Sequence, residues 1–295
     1  MSNITSDAAV GAVHWPVGDI LVTALSDGYY ETPMADVVRR IPVERAEALQ
    51  KDAGRAADRP RINHVMYLVR APGRAPILVD AGMGDAWGPT MGTMSRALRA
   101  LAVPPSEIGT ILLTHLHLDH AAGLTDRAGR AVYPNAEILV AADEAAYWLD
   151  EATAGRAPAE QRMWFDGARK ALAPYRGRTR LFGGGEVLPG ITAVPLPGHT
   201  PGHTGFRVEG GARSLLVWGD IVHLPHVQAP EPDAGVVFDV DGARAAETRR
   251  TALEMAAEEG SCVAGMHTEF PGLGTVRRRG TGYVIVPELW ASFQD

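Results

Sequence analysis

A single cysteine, Cys262, in 295 residues rules out an intrachain disulfide and any thiolate-rich metal site, and it reads as a core residue. Whatever metal the chain holds must be bound by imidazole and carboxylate. Basic charge is also short: 28 Lys and Arg stand against 35 Asp and Glu, a formal net charge of -7. That balance argues against binding along a phosphate backbone. The run Arg277-Arg278-Arg279 reads as a solvated loop or turn. No apolar stretch reaches the roughly 18 residues of a membrane span. The first twenty residues lack the basic start and continuous apolar centre of a secretory signal. These absences predict a soluble, cytoplasmic protein with neither nucleic-acid nor membrane partners. Low-complexity linkers and short repeats are missing too, so one domain over residues 19–295 is expected behind an N-terminal arm at 1–18.

What is present looks layered. "DILVTALSDGYY" reads as a strand with a turn at Asp27-Gly28, since that dipeptide tolerates left-handed backbone. "NHVMYLV" and "APILVDAG" read as strands joined by the Pro-Gly turn of "RAPGR". Met91, Met94, Leu98 and Leu101 fall at helical spacing before Pro104-Pro105. "AEILVAA" is a strand, with Asp143 as a cap for a helix toward Gly155 and a second amphipathic helix over 159–175. "RTRLFG", "GITAVPLPG", "SLLVWGD" and "SCVAGM" are strand candidates. A helix between the last two has Asp241 as its cap and Gly260 as its stop. The Pro-rich stretch 224–235 is read as a loop. Alternating strands and helices predict an α/β or mixed layered architecture.

The stretch "ILLTHLHLDHAAGL" then raises a question of chemistry, because it places His115, His117, Asp119 and His120 within six positions. Chance gives such a pattern on the order of once per thousand chains of this composition. A polar turn would favour Gly, Asn, Asp or Ser, which have a conformational reason to be there. Four apolar runs each end in an imidazole or carboxylate: His115, His199, Asp220 and His267. Strand ends are where layered folds build sites. Imidazole and carboxylate together suit zinc, and also iron, manganese or cobalt. Four ligands so close in sequence do not fit one tetrahedral ion, so two divalent metal ions are expected.

"HLHLDH", followed by Gly-His, Asp and His, resembles the metallo-β-lactamase fold, a four-layer αββα sandwich, and the likeness spans almost the whole chain. "ILVDAG" resembles the family's strand ending in Asp-Thr-Gly, with Ala81 at the threonine position. "PGHTPGHT" resembles its second histidine motif, and Ala122-Gly123 stands where Gly-Gly is usual. The resemblance implies one metal on His115, His117 and His199, a second on Asp119, His120 and His267, and Asp220 bridging both. It implies that Asp80 orients a ligand and that His203 is a structural hydrogen-bonding residue.

"ALSDGYYETP", "VWGDIVHLPHVQ" and "FPGLGTVRRRGTGYVIVP" further resemble the methyl parathion hydrolase branch, related to the lactonases. Acyl-homoserine lactonases place a tyrosine three positions after the bridging aspartate; here that position is His223. The resemblance thus implies a dinuclear hydrolase in which a hydroxide held between two metals cleaves a neutral ester, lactone or phosphotriester, with Asp119 and His223 as catalytic candidates. His223 either donates a proton to the leaving group or hydrogen-bonds near the pocket. Trp87, Trp148 and Phe270 are candidate pocket walls for an uncharged small-molecule substrate, with ordinary packing the competing reading. His14, His64 and His226 are assigned to surface or core. The rivals are an acyl-homoserine lactonase proper, redox or thioester chemistry on the same fold, and a non-hydrolytic metal-binding member. The N-terminal arm and the family likeness point to a homodimer.

Overall fold

Leu215, Leu216 and Val217 are consecutive and all buried, yet they belong to two different cores. Leu215 and Val217 face one way and Leu216 the other, as the two-residue period of a strand requires. A strand buried on both faces needs cover on both sides, and that demand organises the molecule.

The computed structural model describes residues 11–85 and 88–289. Among them lie two seven-stranded sheets, each with its strands side by side in chain order. The first holds β1 (Ala12–Val17), β2 (Ile20–Glu31), β3 (Arg61–Arg70), β4 (Ile77–Val79), β5 (Thr110–Leu112), β6 (Glu137–Ala141) and β7 (Thr179–Phe182). The second holds β8 (Gly185–Leu188), β9 (Ile191–Pro195), β10 (Thr204–Gly210), β11 (Arg213–Val217), β12 (Cys262–Ala264), β13 (Leu273–Arg279) and β14 (Gly282–Pro287). Strands β4 to β7 run parallel, as do β11 and β12, and the other neighbours are antiparallel.

The sheets face each other across one core in which Val22, Val65 and Val69 share a cluster with Phe206, Val208 and Val217. Helices Met94–Ala100 and Ala159–Leu172 add Leu98, Phe165 and Ala168 to that cluster. Helix Gly242–Glu259 covers the outer face of the second sheet, where Ala252, Leu253 and Ala256 pack on Leu216 and Val263. The result is the expected αββα sandwich. Asp241 caps that last helix by accepting from the Ala243 and Arg244 amides, and Gly260 ends it in the left-handed region, both as read from the sequence.

Several expectations were wrong in instructive ways. Residues 12–17, assigned to a loose arm, pair along β2 as an edge strand, so Gly18 is the tip of a hairpin. Asp27-Gly28 is not a turn but a bulge within the long β2. Gly28 has φ 103°, and a Cβ there would stand 1.9 Å from the Thr90 carbonyl oxygen, so the glycine serves close backbone approach. Arg277–Arg279 lie in β13, exposed at its end, where Arg278 pairs with Glu254 and Glu258. Asp143 is inside the helix Ala142–Trp148 rather than at its cap, whereas Asp150 caps the next one, Glu151–Arg156. The Pro-rich loop contains the short helix Pro225–Gln228. Strands β8, β10, β13 and β14 were not read from the sequence.

Candidate metal centre

Five strands of the two sheets end at one edge of the sandwich, and the ends carry the site. Asp80 follows β4, His115 follows β5, His199 follows β9, Asp220 follows β11 and His267 follows β12. Asp80 is held at φ 63°, a left-handed conformation that aspartate tolerates better than most residues. Its carboxylate accepts from the Thr114 amide at 2.8 Å and the Thr114 hydroxyl at 2.7 Å. After His117 the chain turns into the short helix Leu118–Ala121, which carries Asp119 and His120, and the His120 ring comes to 4.0 Å from that of His115.

Three ligand-type groups result among the described residues: His115, His117 and His199 form one, Asp119, His120, Asp220 and His267 a second, and a third, His199, Asp220 and His223, overlaps both. The Asp220 Oδ2 atom sits between the first two, 2.9 Å from His267 Nε2, 3.3 Å from His120 Nε2 and 3.3 Å from His199 Nε2. The structure therefore brings together all seven residues that the resemblance nominated.

Hydrogen bonds behind the rings decide which nitrogens face inward. His120 Nδ1 donates to Asp80 Oδ2 at 2.7 Å, His199 Nδ1 to Asp239 Oδ1 at 2.9 Å, and His267 Nδ1 to the Asn63 carbonyl at 2.7 Å. Thr114, whose hydroxyl proton goes to Asp80, accepts from His115 Nδ1 at 3.0 Å. In each neutral ring the Nε2 atom then carries a lone pair. His115 Nε2 and His199 Nε2 lie 3.2 Å apart, with His117 Nδ1 3.1 and 3.0 Å from them. Three ring nitrogens held that close need a shared cation between them, either a ring proton or a metal ion. Asp220 Oδ1 and His120 Nε2 are buried without a hydrogen-bond partner, which points the same way. The residues present fit divalent metal.

Electrostatics agree with that fit. Burial, with neighbouring imidazoles, holds His115 and His117 well below the ordinary histidine range, so both are neutral, as ligation requires. Burial pushes the Asp220 carboxyl upward, yet His120, His267, His115 and His223 together hold it well below the usual carboxylate range. Burial opposes charge on His199 and His267, but Asp220 with Asp239 or Asp119 raises them to about 9 and about 10. Carboxylates that stabilise positive charge on neighbouring rings this strongly also favour a metal ion, which competes with those ring protons.

Residues without a role in the sequence reading complete the frame. Glu144 is fully buried and accepts from the Leu116 amide, the Thr200 hydroxyl and the Gly202 amide at 2.8, 2.7 and 2.9 Å. It thereby fastens the "HLHLDH" turn of one sheet to the "PGHTPGHT" turn of the other. At Gly202 a Cβ would stand 2.2 Å from the Glu144 nitrogen, which explains the second glycine of that motif. His203 accepts from the Asp220 amide at 2.9 Å, the structural part expected of it. Asp239 was missed because nothing near it in sequence signals a partner 40 residues away. His64 was missed for the opposite reason: it looks like any histidine in a strand, yet it lies 3.6 Å from Asp119 Oδ2 with neither ring nitrogen partnered.

Beside the centre opens a cavity of about 210 Å³. Its walls include Tyr30, Ile62, Met83, Met91, Trp164 and Phe238, with Asp119, Asp220, His223 and His267 at the polar end. His223 stacks on His267 at 4.7 Å and lies 3.2 Å from Asp220 Oδ2. Burial pushes it down to about 4 against the opposing carboxylate, so it is an uncharged imidazole at neutral pH. The aromatic walls differ from those expected. Trp148 is buried behind His117, their rings 5.3 Å apart, while Trp164 supplies the wall. Phe270 lines a different cavity beyond His267. Trp87 lies outside the described residues. No helix among the described residues is long and apolar enough to cross a membrane.

This architecture is shared with known proteins. The model of the metallo-beta-lactamase superfamily matches residues 59–267, which carry every residue of these ligand groups. The chain belongs to that superfamily. A crystal structure of AbOPH, a hydrolase in the beta lactamase superfamily, is 31% identical and superposes with a TM-score of 0.89 over 97% of this chain and 99% of its own. AidC, a dizinc quorum-quenching lactonase solved with a bound product, gives a TM-score of 0.90 at 24% identity over 96% of this chain and 99% of its own, a likeness of fold. An N-acyl homoserine lactonase of Bacillus cereus is 26% identical over 163 residues, 48% of this chain and 57% of its own length. A probable metallo-hydrolase of Mycobacterium tuberculosis is 29% identical over 134 residues, 43% of this chain and 41% of its own. The chain spans about half the length of these curated relatives. It is a member of a superfamily of metal-dependent hydrolases, with a cluster of metal-binding His and Asp residues.

Proposed function

We propose that the chain is a dinuclear metal hydrolase that cleaves an uncharged, apolar ester, lactone or phosphotriester. One observation carries the substrate class: among the described residues, no Lys or Arg lines the cavity beside the ligand groups. A site for an anionic substrate would place a cation there to offset its charge. Likeness to lactonases and to AbOPH supports an ester-type bond.

His115, His117 and His199 would hold one ion, and Asp119, His120 and His267 the other, with Asp220 shared between them. Two such ions, zinc or another divalent metal, would supply an activated water near neutral pH and polarise the substrate oxygen. The remaining work falls to the chain. Asp119, whose side chain is 20% exposed against 2% for Asp220, is the ligand carboxylate open to the cavity. Its Oδ2 atom accepts the proton of the attacking water and returns it to the leaving oxygen. His223 donates Nε2–H to Asp220, which fixes that carboxylate and leaves a buried lone pair at Nδ1 facing no other partner. Trp164 and Phe238 keep bulk water from the reacting end.

The test is kcat/KM of metal-loaded protein on an acyl lactone, an aryl ester and a phosphotriester, each repeated after chelation. Chelator-sensitive turnover of at least one is the expected result. Background rates on all three, with two equivalents of metal bound, would overturn the proposal.

A further inference from the structure

Residues 221–240 leave the metal centre at Asp220 and return to it at Asp239, whose Oδ1 atom accepts from His199 Nδ1 at 2.9 Å. On the way they supply His223 and Phe238 to the cavity wall. Their regular structure amounts to the short helix Pro225–Gln228 and the two-residue strand Gly235–Val236. A segment with so few ladder bonds of its own has to be held by side chains.

One side chain reaches its beginning, middle and end. Arg249, on the helix Gly242–Glu259, is 1% exposed. Its Nε donates to the Ile221 carbonyl at 2.7 Å, and its Nη1 to the Pro232 and Ala234 carbonyls at 3.0 and 2.8 Å. Its Nη2 lies 3.7 Å from Asp239 Oδ2, and the Asp239 side chain is as deeply buried as that of Arg249. The Ala234 carbonyl also accepts from Gln228 at 3.1 Å, and Gln228 Oε1 accepts from the His223 amide at 2.7 Å. A buried guanidinium is costly unless its donors and its charge are matched. Three carbonyls and one carboxylate match this one, and all four belong to 221–240.

We infer that Arg249 is a positioning residue for the metal centre: by holding Asp239 behind His199, it sets how tightly His115, His117 and His199 hold their ion. The route is short. A carboxylate behind a ligating imidazole fixes the ring and makes it a stronger donor to metal. Asp239 does this only while its own orientation and charge are held. The Val236 amide donates to its Oδ2 atom at 3.1 Å, and Arg249 brings a positive charge to the same oxygen. A lysine would bring the charge without the planar fork that spans three carbonyls and a carboxylate. His120, in the other group, has its own carboxylate in Asp80. The inference concerns metal affinity and stands apart from the hydrolase reading.

The experiment is titration of metal-free protein with cobalt(II), followed by its visible spectrum, for the wild type, Arg249→Lys, Asp239→Asn and the double variant. Thermal unfolding of each metal-free form accompanies it. Arg249→Lys is expected to weaken one ion about tenfold or more, the same ion that Asp239→Asn weakens, and to leave the other nearly unchanged. In the Asp239→Asn background Arg249→Lys should add little, because its route to His199 is already cut. Equal weakening of both ions, in step with a lower Tm of the metal-free form, assigns Arg249 to the fold alone and overturns the inference. So does an undiminished effect in the Asp239→Asn background. If Arg249→Lys does not fold, Arg249→Gln, which keeps a donor and removes the charge, repeats the comparison. Selective loss of one ion in a protein that turns over no ester would sink the hydrolase reading alone. Turnover with metal affinity untouched by Arg249→Lys would sink the inference alone.

Discussion

The two sheets build the centre in different ways. From the first, four ligand-type side chains arrive within six residues, on a single turn after β5. From the second, three arrive one at a time, at the ends of β9, β11 and β12, spread from His199 to His267. The first set is positioned largely by local backbone, with Asp80 and Thr114 close behind it. The second is positioned by the closure of a whole sheet and by contacts that cross the sandwich, such as Asn63 to His267 and Glu144 to Gly202. A clustered motif can persist while the sandwich loosens; a distributed one cannot.

Asp220 belongs to the distributed set yet approaches both groups, so its loss should have the largest effect. Asp220→Asn is expected to lose about three orders of magnitude or more in kcat/KM on whichever ester the wild type turns over, and to lower bound metal below two equivalents. A variant that keeps both ions would show that each group is self-sufficient and that the shared carboxylate is dispensable.

A smaller effect separates the two groups. Asp80→Asn releases His120, and Asp239→Asn releases His199; each should weaken metal binding about 10–100-fold. The ions lost should differ: the one near Asp119, His120 and His267 in the first variant, the one near His115, His117 and His199 in the second. Metal content after dialysis against graded chelator, read with cobalt spectra, decides this. Loss of the same ion in both variants would break the comparison.

The smallest effect concerns the first sheet alone. Asp27 accepts from the Met83 and Met94 amides at 2.7 and 2.9 Å, and burial pushes its pKa from 3.8 to about 6. With the folded value above the unfolded one, the native state binds the extra proton between pH 4 and 6. Stability from this group is thus full below pH 4 and falls as pH rises through 6, by about 1.4 kcal/mol per unit at most. Replacing Asp27 by Asn should flatten that slope in unfolding measured from pH 4 to 7, while lowering stability by about 1–2 kcal/mol as one amide loses its acceptor. An unchanged slope would place the titration elsewhere.

The contrast between the sheets also explains how legible the molecule was. The "HLHLDH" cluster was visible because its ligands share a turn, and composition alone makes it improbable by chance. His199, Asp220 and His267 were visible because each follows an apolar run at a strand end. Asp239, Glu144 and His64 were not, since no local pattern marks a side chain whose partner lies on another element. Trp148 and Trp164 show the same limit: they lie in two separate helices, and only packing puts the first behind His117 and the second in the cavity.

Ligand types, the alternation of strands and helices, and the exclusion of thiolate chemistry were legible before any folding was considered, because residue type and periodicity are local properties. Which ring nitrogens face inward, which tryptophan lines the cavity, and that His267 borders both a cavity without Lys or Arg among the described residues and an arginine-lined one came only with the folded sheets. Those outcomes depend on hydrogen bonds and contacts between residues tens to hundreds of positions apart, and such pairs come into being only when the two sheets close on each other.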